Sequence, residues 1–397
     1  MKLCNILSTH AAFHIRYNGG DGGGSVNNRE RMQAIMHYRD YDRMPVVSFG
    51  YWHETLTKWR VEGHVAPEEE KGYADNNVYD RAIMARLGFD FNWGGGVGGS
   101  SYLFPMFQTE VLRTEPDGSE VVRNGEGLIV KIKPGVVSIP AHVGTSLTGR
   151  EAWEELYLPK LADCEARVNA EAIRGRYAEI ERLGLPVCLS CGSLYGNIRN
   201  MLGVEDLAYL AADDEELYEE IIHTVGELCL KVAGRVLALG LTFDFGHFWE
   251  DICFKSGPLV RPSVFRELVG PWYKKITSLL KAHGVDIVSV DCDGKIDELV
   301  PVWLENGVNT MFPIEVGTWR ASFDNWRRIY GRDLRGVGGM DKRVFAQDYA
   351  AVDREIERLK PIVDMGGYIP CPDHRIPPDA KWENVQYYCE RFRKTFG

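Results

Sequence analysis

Residues 367–378, Gly-Tyr-Ile-Pro-Cys-Pro-Asp-His-Arg-Ile-Pro-Pro, place a short strand-forming run directly before a proline-rich loop that carries Cys371 and His374. A second segment of this kind lies upstream, where the apolar run 285–290 leads into residues 291–294, Asp-Cys-Asp-Gly. Reactive side chains at the carboxyl ends of strands are typical of the catalytic face of a (β/α)8 barrel. If the two loops meet, they offer a metal site or an acid–base site.

Working outward from these segments, short runs of β-forming residues alternate for the most part with helical patterns. Several helical stretches end at a glycine just before the next run, as helix-to-strand connections prefer. Eight such runs match the strand number of a TIM barrel, so we predict an α/β protein with the (β/α)8 fold. The predicted strands are residues 46–49, 89–93, 186–191, 241–245, 285–290, 308–314, 334–337 and 368–371.

The chain is predicted to form one large domain with two additions. Residues 1–26 contain the glycine-rich segment 19–25 and are predicted to form a flexible N-terminal tail. Residues 27–397 are assigned to the single barrel. Within it, residues 108–133 alternate apolar and polar side chains around turn signals, which predicts a small antiparallel β meander inserted after the second barrel strand.

The composition restricts the partners of the protein. The chain has 397 residues, 45% of them hydrophobic, and a net charge of -11, so it has material for a large core and no basic surface for nucleic acid. We find no run with the length of a membrane span and no signal peptide. Nine scattered cysteines, an odd number, favour reduced thiols. We therefore expect a cytoplasmic protein that binds neither nucleic acid nor membranes.

Other candidate site residues follow the remaining predicted strands. Glu250 and His247 follow the fourth predicted strand and are candidates for orienting the substrate or transferring a proton. Location alone supports catalytic roles for His53, Glu315 and Asp341, after the first, sixth and seventh strands. Aromatic side chains at the same ends would bind an apolar or planar part of a substrate; they are Tyr51, Trp52, Trp93, Tyr195 and Trp249.

Most of the reactive candidates also have a structural interpretation. Asp291 or Asp293 could cap the helix that follows, and His374 could tie its loop to backbone carbonyls. Glu250 could form an ion pair with a nearby basic residue, and Asp341 could do the same or cap a helix. The residues alone leave these alternatives open.

Several motifs, taken in chain order, resemble the uroporphyrinogen decarboxylase superfamily, which also contains cobalamin-dependent methyltransferases. The resemblance covers roughly residues 27–397 and implies a single (β/α)8 barrel and a homodimer. The matching positions are residues 29–31, 42–45, 249–251, 257–262, 293–294, 338–343 and the loop around His374.

The resemblance favours the methyltransferase branch. Decarboxylase members carry R-x-A-G-R-Y after the first strand, whereas residues 49–54 read Phe-Gly-Tyr-Trp-His-Glu here, without the arginines that would bind a polycarboxylate. Methyltransferase members carry H-x-C-G after the fifth strand and a cysteine after the eighth as a zinc site. Asp291 and Asp293 fall on that histidine and first cysteine, and His374 falls on the last cysteine.

We therefore predict a metal-assisted methyltransferase in corrinoid-linked one-carbon metabolism, with a small-molecule substrate. Asp291, Asp293 and His374, with Cys371 beside them, would hold a divalent metal, zinc in the first place and manganese or iron as alternatives for such an oxygen-rich set. A corrinoid protein would carry the methyl group. The alternative functions are decarboxylation of uroporphyrinogen or another aromatic carboxylate, and a catalytically silent barrel subunit.

Overall fold

The computed structural model describes residues 26–94, 96–133 and 140–397. The predicted tail, residues 1–26, lies outside this part of the chain except for its last residue. The described residues form an α/β structure. Its strands are β1 (Val47–Ser48), β2 (Phe91–Asn92), β3 (Glu110–Thr114), β4 (Glu120–Arg123), β5 (Leu128–Ile132), β6 (Ala141–Thr145), β7 (Cys188–Gly192), β8 (Phe245–Trp249), β9 (Cys253–Phe254), β10 (Gly257–Pro258), β11 (Val288–Asp291), β12 (Thr310–Phe312), β13 (Arg335–Met340) and β14 (Tyr368–Pro372).

The main sheet has six parallel strands in the order β7, β8, β11, β12, β13, β14. A separate parallel pair is formed by β1 and β2. Isolated bridges connect this pair to both edges of the main sheet: Tyr51 pairs with Ile376 beyond β14, and Val97 pairs with Leu189 of β7. The carboxyl ends of all these strands therefore lie at one edge, where the reactive loops emerge.

Each strand predicted for the barrel overlaps one of these parallel strands, and the fourth is displaced along the chain. β8 begins at Phe245, the last residue of the predicted run. Asp244, inside that run, forms an ion pair with Arg29 at 2.8 Å and accepts a hydrogen bond from the backbone N–H of Val187 at 2.7 Å. Its carboxylate therefore fixes the loop that enters the strand.

Helices connect most of the parallel strands. They are α1 (Asn28–Met36), α2 (His53–Val61), α3 (Pro67–Gly72), α4 (Val78–Leu87), α5 (Arg150–Ala152), α6 (Leu158–Leu161), α7 (Ala170–Arg182), α8 (Gly196–Leu202), α9 (Val204–Asp213), α10 (Glu215–Leu237), α11 (Pro262–Val264), α12 (Gly270–Ala282), α13 (Val300–Glu305), α14 (Val316–Trp319), α15 (Phe323–Tyr330), α16 (Tyr349–Val363) and α17 (Trp382–Phe396). Within the described ranges, none of them combines the length and hydrophobicity needed to cross a membrane.

Local sequence rules account for the helices. α1 starts with a capping box, in which the Asn27 side chain accepts from the Glu30 N–H at 2.9 Å and the Glu30 carboxylate accepts from the Asn27 N–H at 2.8 Å. α10 buries an apolar stripe at helical spacing. The stripe consists of Leu217, Ile221, Val225, Leu228, Val232 and Val236.

A second sheet, separate from the parallel strands, is antiparallel and has the order β3, β4, β5, β6. Its first three strands lie in the segment predicted as a meander, and β6 lies beyond the predicted end at residue 133. The hydroxyl of Thr145 in β6 donates to the backbone carbonyl of Met201 at 2.6 Å. The antiparallel sheet is therefore attached to α8, the helix that follows β7.

Candidate metal and substrate site

Three aspartates cluster at the carboxyl ends of the neighbouring strands β8 and β11. Asp291 is the last residue of β11, Asp293 follows it, and Asp251 follows β8. One carboxylate oxygen from each aspartate can be selected so that all three oxygens lie within 4.8 Å of one another. The parallel register pairs Asp291 with Trp249, the last residue of β8, so the two polar loops leave the sheet at the same level.

The backbone around Asp251 brings its carboxylate into this cluster. Asp251 has a φ of +48°, in the left-handed region that aspartate adopts more readily than most residues. Its Oδ1 accepts a hydrogen bond from the backbone N–H of Asp293 at 3.0 Å. The turn after β8 is thereby joined to the loop after β11.

His374 and Glu315 border the aspartate cluster. The Nε2 atom of His374 lies 2.9 Å from Oδ2 of Asp293, so the loops after β11 and β14 are in direct contact. The His374 ring is stacked on Trp52, with centroids 5.3 Å apart and an interplanar angle of 21°. Glu315, after β12, accepts a hydrogen bond from the backbone N–H of Gly294 at 2.6 Å.

Burial and mutual repulsion make these carboxyl groups hold protons more tightly than usual. Burial, followed by the charge of Asp293, raises the pKa of Asp251 to about 6. Burial also raises the pKa of Asp291 well above its ordinary value, and the charges of Asp251 and Asp293 add to the effect. The pKa of Glu315 is raised by burial and by Asp293. The cluster therefore shares protons unless a cation neutralises it.

The donor set fits a divalent cation. Oδ1 of Asp293 is buried and has no hydrogen-bond partner among the described residues. An unpaired buried carboxylate oxygen is costly, and a cation would satisfy it. Carboxylate oxygens with one imidazole nearby suit manganese, iron, magnesium or an open zinc site better than a thiolate zinc site.

Cys371, predicted beside the metal ligands, is not part of the cluster among the described residues. It lies inside β14 and is fully buried. It is close to Asp373 and to Tyr388 of α17, and burial raises the pKa of its thiol well above the usual value. A buried protonated thiol in this position is a core residue.

Glu250, predicted to be catalytic, binds the backbone at the start of α8 through hydrogen bonds. The carboxylate is fully buried, and hydrogen-bond donors surround both oxygens. They are the backbone N–H groups of Leu194 (2.9 Å), Tyr195 (2.9 Å) and Gly196 (2.8 Å), together with the hydroxyls of Ser193 (3.2 Å) and Tyr273. Burial raises the pKa of Glu250, and these donors oppose the shift. This geometry gives Glu250 a positioning role.

Three further predicted catalytic residues, His247, His53 and Asp341, are not members of the aspartate cluster within the described residues. His247 is buried in β8, burial lowers its pKa to about 4, and its Nδ1 has no partner within the described residues. The side chain of His53, at the start of α2, is 64% exposed and lies 4.0 Å from Glu70. Asp341 forms an ion pair with Arg343 at 2.6 Å.

Two of the five predicted aromatic residues have faces near the cluster. Trp52 is 44% exposed and covers His374, and Trp249 lies under the guanidinium of Arg199. Tyr51, Trp93 and Tyr195 are buried in the core. Trp93 stacks on a phenylalanine ring, and the Tyr195 hydroxyl hydrogen-bonds that of another tyrosine.

Three functional candidates escaped the residue-level predictions. Asp251 lies in one of the motifs that carry the resemblance, and the prediction selects its neighbour Glu250 from the same loop. Arg199 lies in the helix after the third predicted strand, where an arginine is a usable signal for an anion site. Arg375 directly follows His374 and makes two hydrogen bonds with Asp75, at 3.0 and 2.5 Å.

The family model for uroporphyrinogen decarboxylase (URO-D) matches residues 123–395, which confirms the resemblance recognised in the sequence. A search of curated protein sequences finds no significant match. Among solved structures, the chain is similar to a methyltransferase from Methanosarcina mazei, with a TM-score of 0.59 and 14% identity over 93% of this chain and 99% of that chain. At this identity the similarity is one of fold.

Proposed function

Since the chain belongs to the uroporphyrinogen decarboxylase family, we propose that it is a metal-assisted methyltransferase that acts on a small molecule in corrinoid-linked one-carbon metabolism. The observation that carries the proposal is the cluster of Asp251, Asp291 and Asp293 at the ends of adjacent strands. The shared fold with a methyltransferase supports it. The cytoplasmic location and the homodimer stay predictions from the sequence.

We further propose that the parallel strands close into a (β/α)8 barrel with β3–β6 as an insertion after its second strand. Support comes from the hydrogen bonds at the two junctions between the sheets. The N–H of Val97 donates to the carbonyl of Cys188 at 2.8 Å, and the N–H of Ile376 donates to the carbonyl of Gly50 at 3.0 Å. In a closed barrel the aspartate cluster, His374 and Trp52 share one mouth.

Asp251, Asp291 and Asp293 would hold the divalent cation, with Glu315 and His374 at its border. When bound, such a cation supplies a Lewis acid that lowers the pKa of a coordinated thiol or water. Burial, and after it the repulsion between the carboxylates, raises the pKa values of Asp291 and Asp251, so a cation would compete with protons for both groups. Asp293 orients the His374 ring through its contact with Nε2, which leaves Nδ1 as the ring nitrogen where a proton from the methyl acceptor can be taken up.

A corrinoid protein that docks over this mouth would deliver the methyl group. The exposed face of Trp52 lies beside His374 and offers an apolar, planar contact at that position. The same ring shields one face of the imidazole from water. We therefore place the methyl acceptor between His374 and the aspartate cluster.

Metal titration of the purified protein tests the cation site. We expect zinc or manganese to bind at about one ion per chain, and Asp293→Asn to weaken binding by about 100-fold, since loss of even an outer-shell partner costs 10–100-fold. Asp286→Asn is the matched control, because Asp286 precedes β11 at its opposite end and pairs with His37. Failure of both metals to bind, or equal affinity in the two variants, would refute the proposed site.

Methyl transfer is then measured with methylcobalamin as donor and a small thiol as acceptor, by the change in cobalamin absorbance. We expect turnover to require the metal and to be lost in Asp293→Asn. Turnover that persists in the presence of a chelator would contradict a metal-assisted reaction.

One observation favours decarboxylation as a second candidate function. The pKa of Asp291 is raised well above its ordinary value, first by burial and then by the neighbouring carboxylates, which favours a protonated carboxyl group where a carbanion left by loss of CO2 would need a proton. Release of CO2 from uroporphyrinogen or an aromatic carboxylate by the chelated protein would support this candidate over methyl transfer. A protein that binds no metal and turns over neither substrate would be a silent barrel subunit.

A further inference from the structure

The guanidinium group of Arg199, on α8, has one edge whose hydrogen-bond donors have no partner among the described residues. Its Nε and Nη2 atoms are both buried, and neither has a hydrogen-bond partner among the described residues. These two nitrogens present parallel N–H groups on one edge of the guanidinium, which matches the two oxygens of a carboxylate. Buried donors are nearly always paired, so two adjacent unpaired donors on one charged group indicate a partner that the described residues do not supply.

The same edge binds carboxylates elsewhere in this chain. Nε and Nη2 of Arg31 donate to the two oxygens of Asp42 at 2.8 and 2.6 Å. Nε and Nη2 of Arg343 donate to those of Asp341 at 2.8 and 2.6 Å. Arg199 presents the same pair of donors, and the chain supplies no carboxylate to it within the described residues.

The position of Arg199 is fixed next to the aspartate cluster. Glu250 accepts hydrogen bonds from the backbone at the start of α8, and Asp251 is the next residue in the chain. The Cζ atom of Arg199 lies 5.5 Å from the centre of the Trp249 ring, at the end of β8. Arg199 is also close enough to Asp251 to lower the pKa of that carboxyl group.

We propose that Arg199 and Trp249 form a subsite for a substrate carboxylate, bound through both oxygens to Nε and Nη2, with the Trp249 ring holding the guanidinium plane. The assignment rests on the proposed function, because it specifies the substrate of that reaction as a small carboxylic acid. A single positive charge beside three aspartates suits a monoanion better than a phosphate dianion, which the aspartates would repel.

Calorimetric titration with benzoate and acetate tests the subsite, with neutral benzamide as the probe control. We expect at least one carboxylate to bind the wild-type protein, and Arg199→Gln to weaken its binding by about 10-fold or more, as expected for a lost charged hydrogen-bond pair. Arg199→Lys should restore only part of the affinity, because lysine cannot donate from a rigid fork. Arg266→Gln is the matched control, since Glu305 already occupies its Nε and Nη2 edge.

Each titration is run on chelated and on zinc-loaded protein, with unfolding midpoints measured for all variants. Arg199-dependent binding in a protein that takes up no metal would support the subsite and refute the metal-assisted function. Metal uptake without carboxylate binding, or equal carboxylate affinity in wild type and folded Arg199→Gln, would overturn the subsite alone. If Arg199→Gln does not fold, the test uses Arg199→Lys instead. Carboxylate affinity equal to that of the wild type in Arg199→Lys would overturn the proposed contact through Nε and Nη2. Phosphate that binds as tightly as the carboxylates would overturn the assignment to a carboxylic acid.

Discussion

Metal affinity should fall steeply between pH 7 and pH 5, because the cation has to displace protons from the aspartate cluster. A carboxyl group with a raised pKa becomes protonated at a higher pH than usual. The cation therefore binds strongly above that pKa and weakly below it. With a pKa of about 6, Asp251 is about 90% ionised at pH 7 and about 10% ionised at pH 5. This group alone weakens the apparent affinity by about tenfold over that range.

Asp291 adds to the loss. Burial and its two aspartate neighbours raise its pKa well above the ordinary value, so protons compete with the cation at this group as well. A group that is mostly protonated throughout this range contributes up to about tenfold per pH unit. We therefore expect the total loss between pH 7 and pH 5 to exceed about tenfold, with more than about half a proton released per ion at pH 6.

Isothermal titration with manganese chloride at pH 5, 6 and 7 measures this loss. Two buffers with different protonation enthalpies give the number of protons released at each pH. The control variant Asp286→Asn should show the same pH dependence as the wild type, because Asp286 lies at the far end of β11. Equal affinity at pH 5 and pH 7, or the absence of proton release, would refute the account of the cluster.

Three further predictions concern the surroundings of the cluster. Tyr273→Phe removes one donor from the buried carboxylate of Glu250 and should lower the free energy of unfolding by about 1–3 kcal/mol, measured by urea denaturation at pH 8. Gly294→Ala places a Cβ against the Cys253 carbonyl at a φ of +88°, so it should cost about 1–3 kcal/mol in the same assay and weaken manganese binding. Asp80 is buried with a pKa raised from 3.8 to about 6, so the stability that its protonated form provides is lost as the pH rises from 4 to 6. Relative to Asp80→Asn, the wild type should therefore lose up to about 3 kcal/mol over this window.

These three predictions have separate controls. Tyr330→Phe changes a tyrosine that is only partly buried in the last turn of α15, and it should leave stability nearly unchanged. Gly118→Ala has a similar positive φ of +76° but no atom near the added Cβ, so it separates backbone strain from the collision at residue 294. A constant stability difference between wild type and Asp80→Asn from pH 4 to pH 7 would contradict the raised pKa.

The sequence was most informative about the buried parallel strands. Strands covered on both faces read as short continuous apolar runs, so residues 285–290 and 368–371 could be recognised directly. The run 241–245 was placed too early because apolar residues also occur in the connection before β8, where Asp244 forms its ion pair. A weakly patterned strand such as β6 gave no comparable signal.

The site was harder to predict because side-chain direction depends on the exact end of each strand. Asp291, Asp293 and His374 could be selected as candidate ligands, because the first ends a well-marked strand, the second lies two residues further on and the third lies in a loop defined by prolines. Cys371 could be selected only for its position beside these candidates, because the sequence does not show that its side chain is buried inside β14. Asp251 could not be distinguished from its neighbour Glu250 as a cluster member. The left-handed φ that brings its carboxylate into the cluster is marked by a glycine at many positions, but here the residue is an aspartate and gives no such signal.

Glu250 and Asp251 are consecutive residues that serve different parts of the site. One holds the helix that carries Arg199, and the other contributes to the aspartate cluster. Under the proposed function, substrate recognition and reactivity therefore depend on the same segment and cannot evolve separately. A change that reshapes the segment after β8 for a different ligand also displaces a member of the cluster, so any redesign has to treat that segment and α8 as one unit.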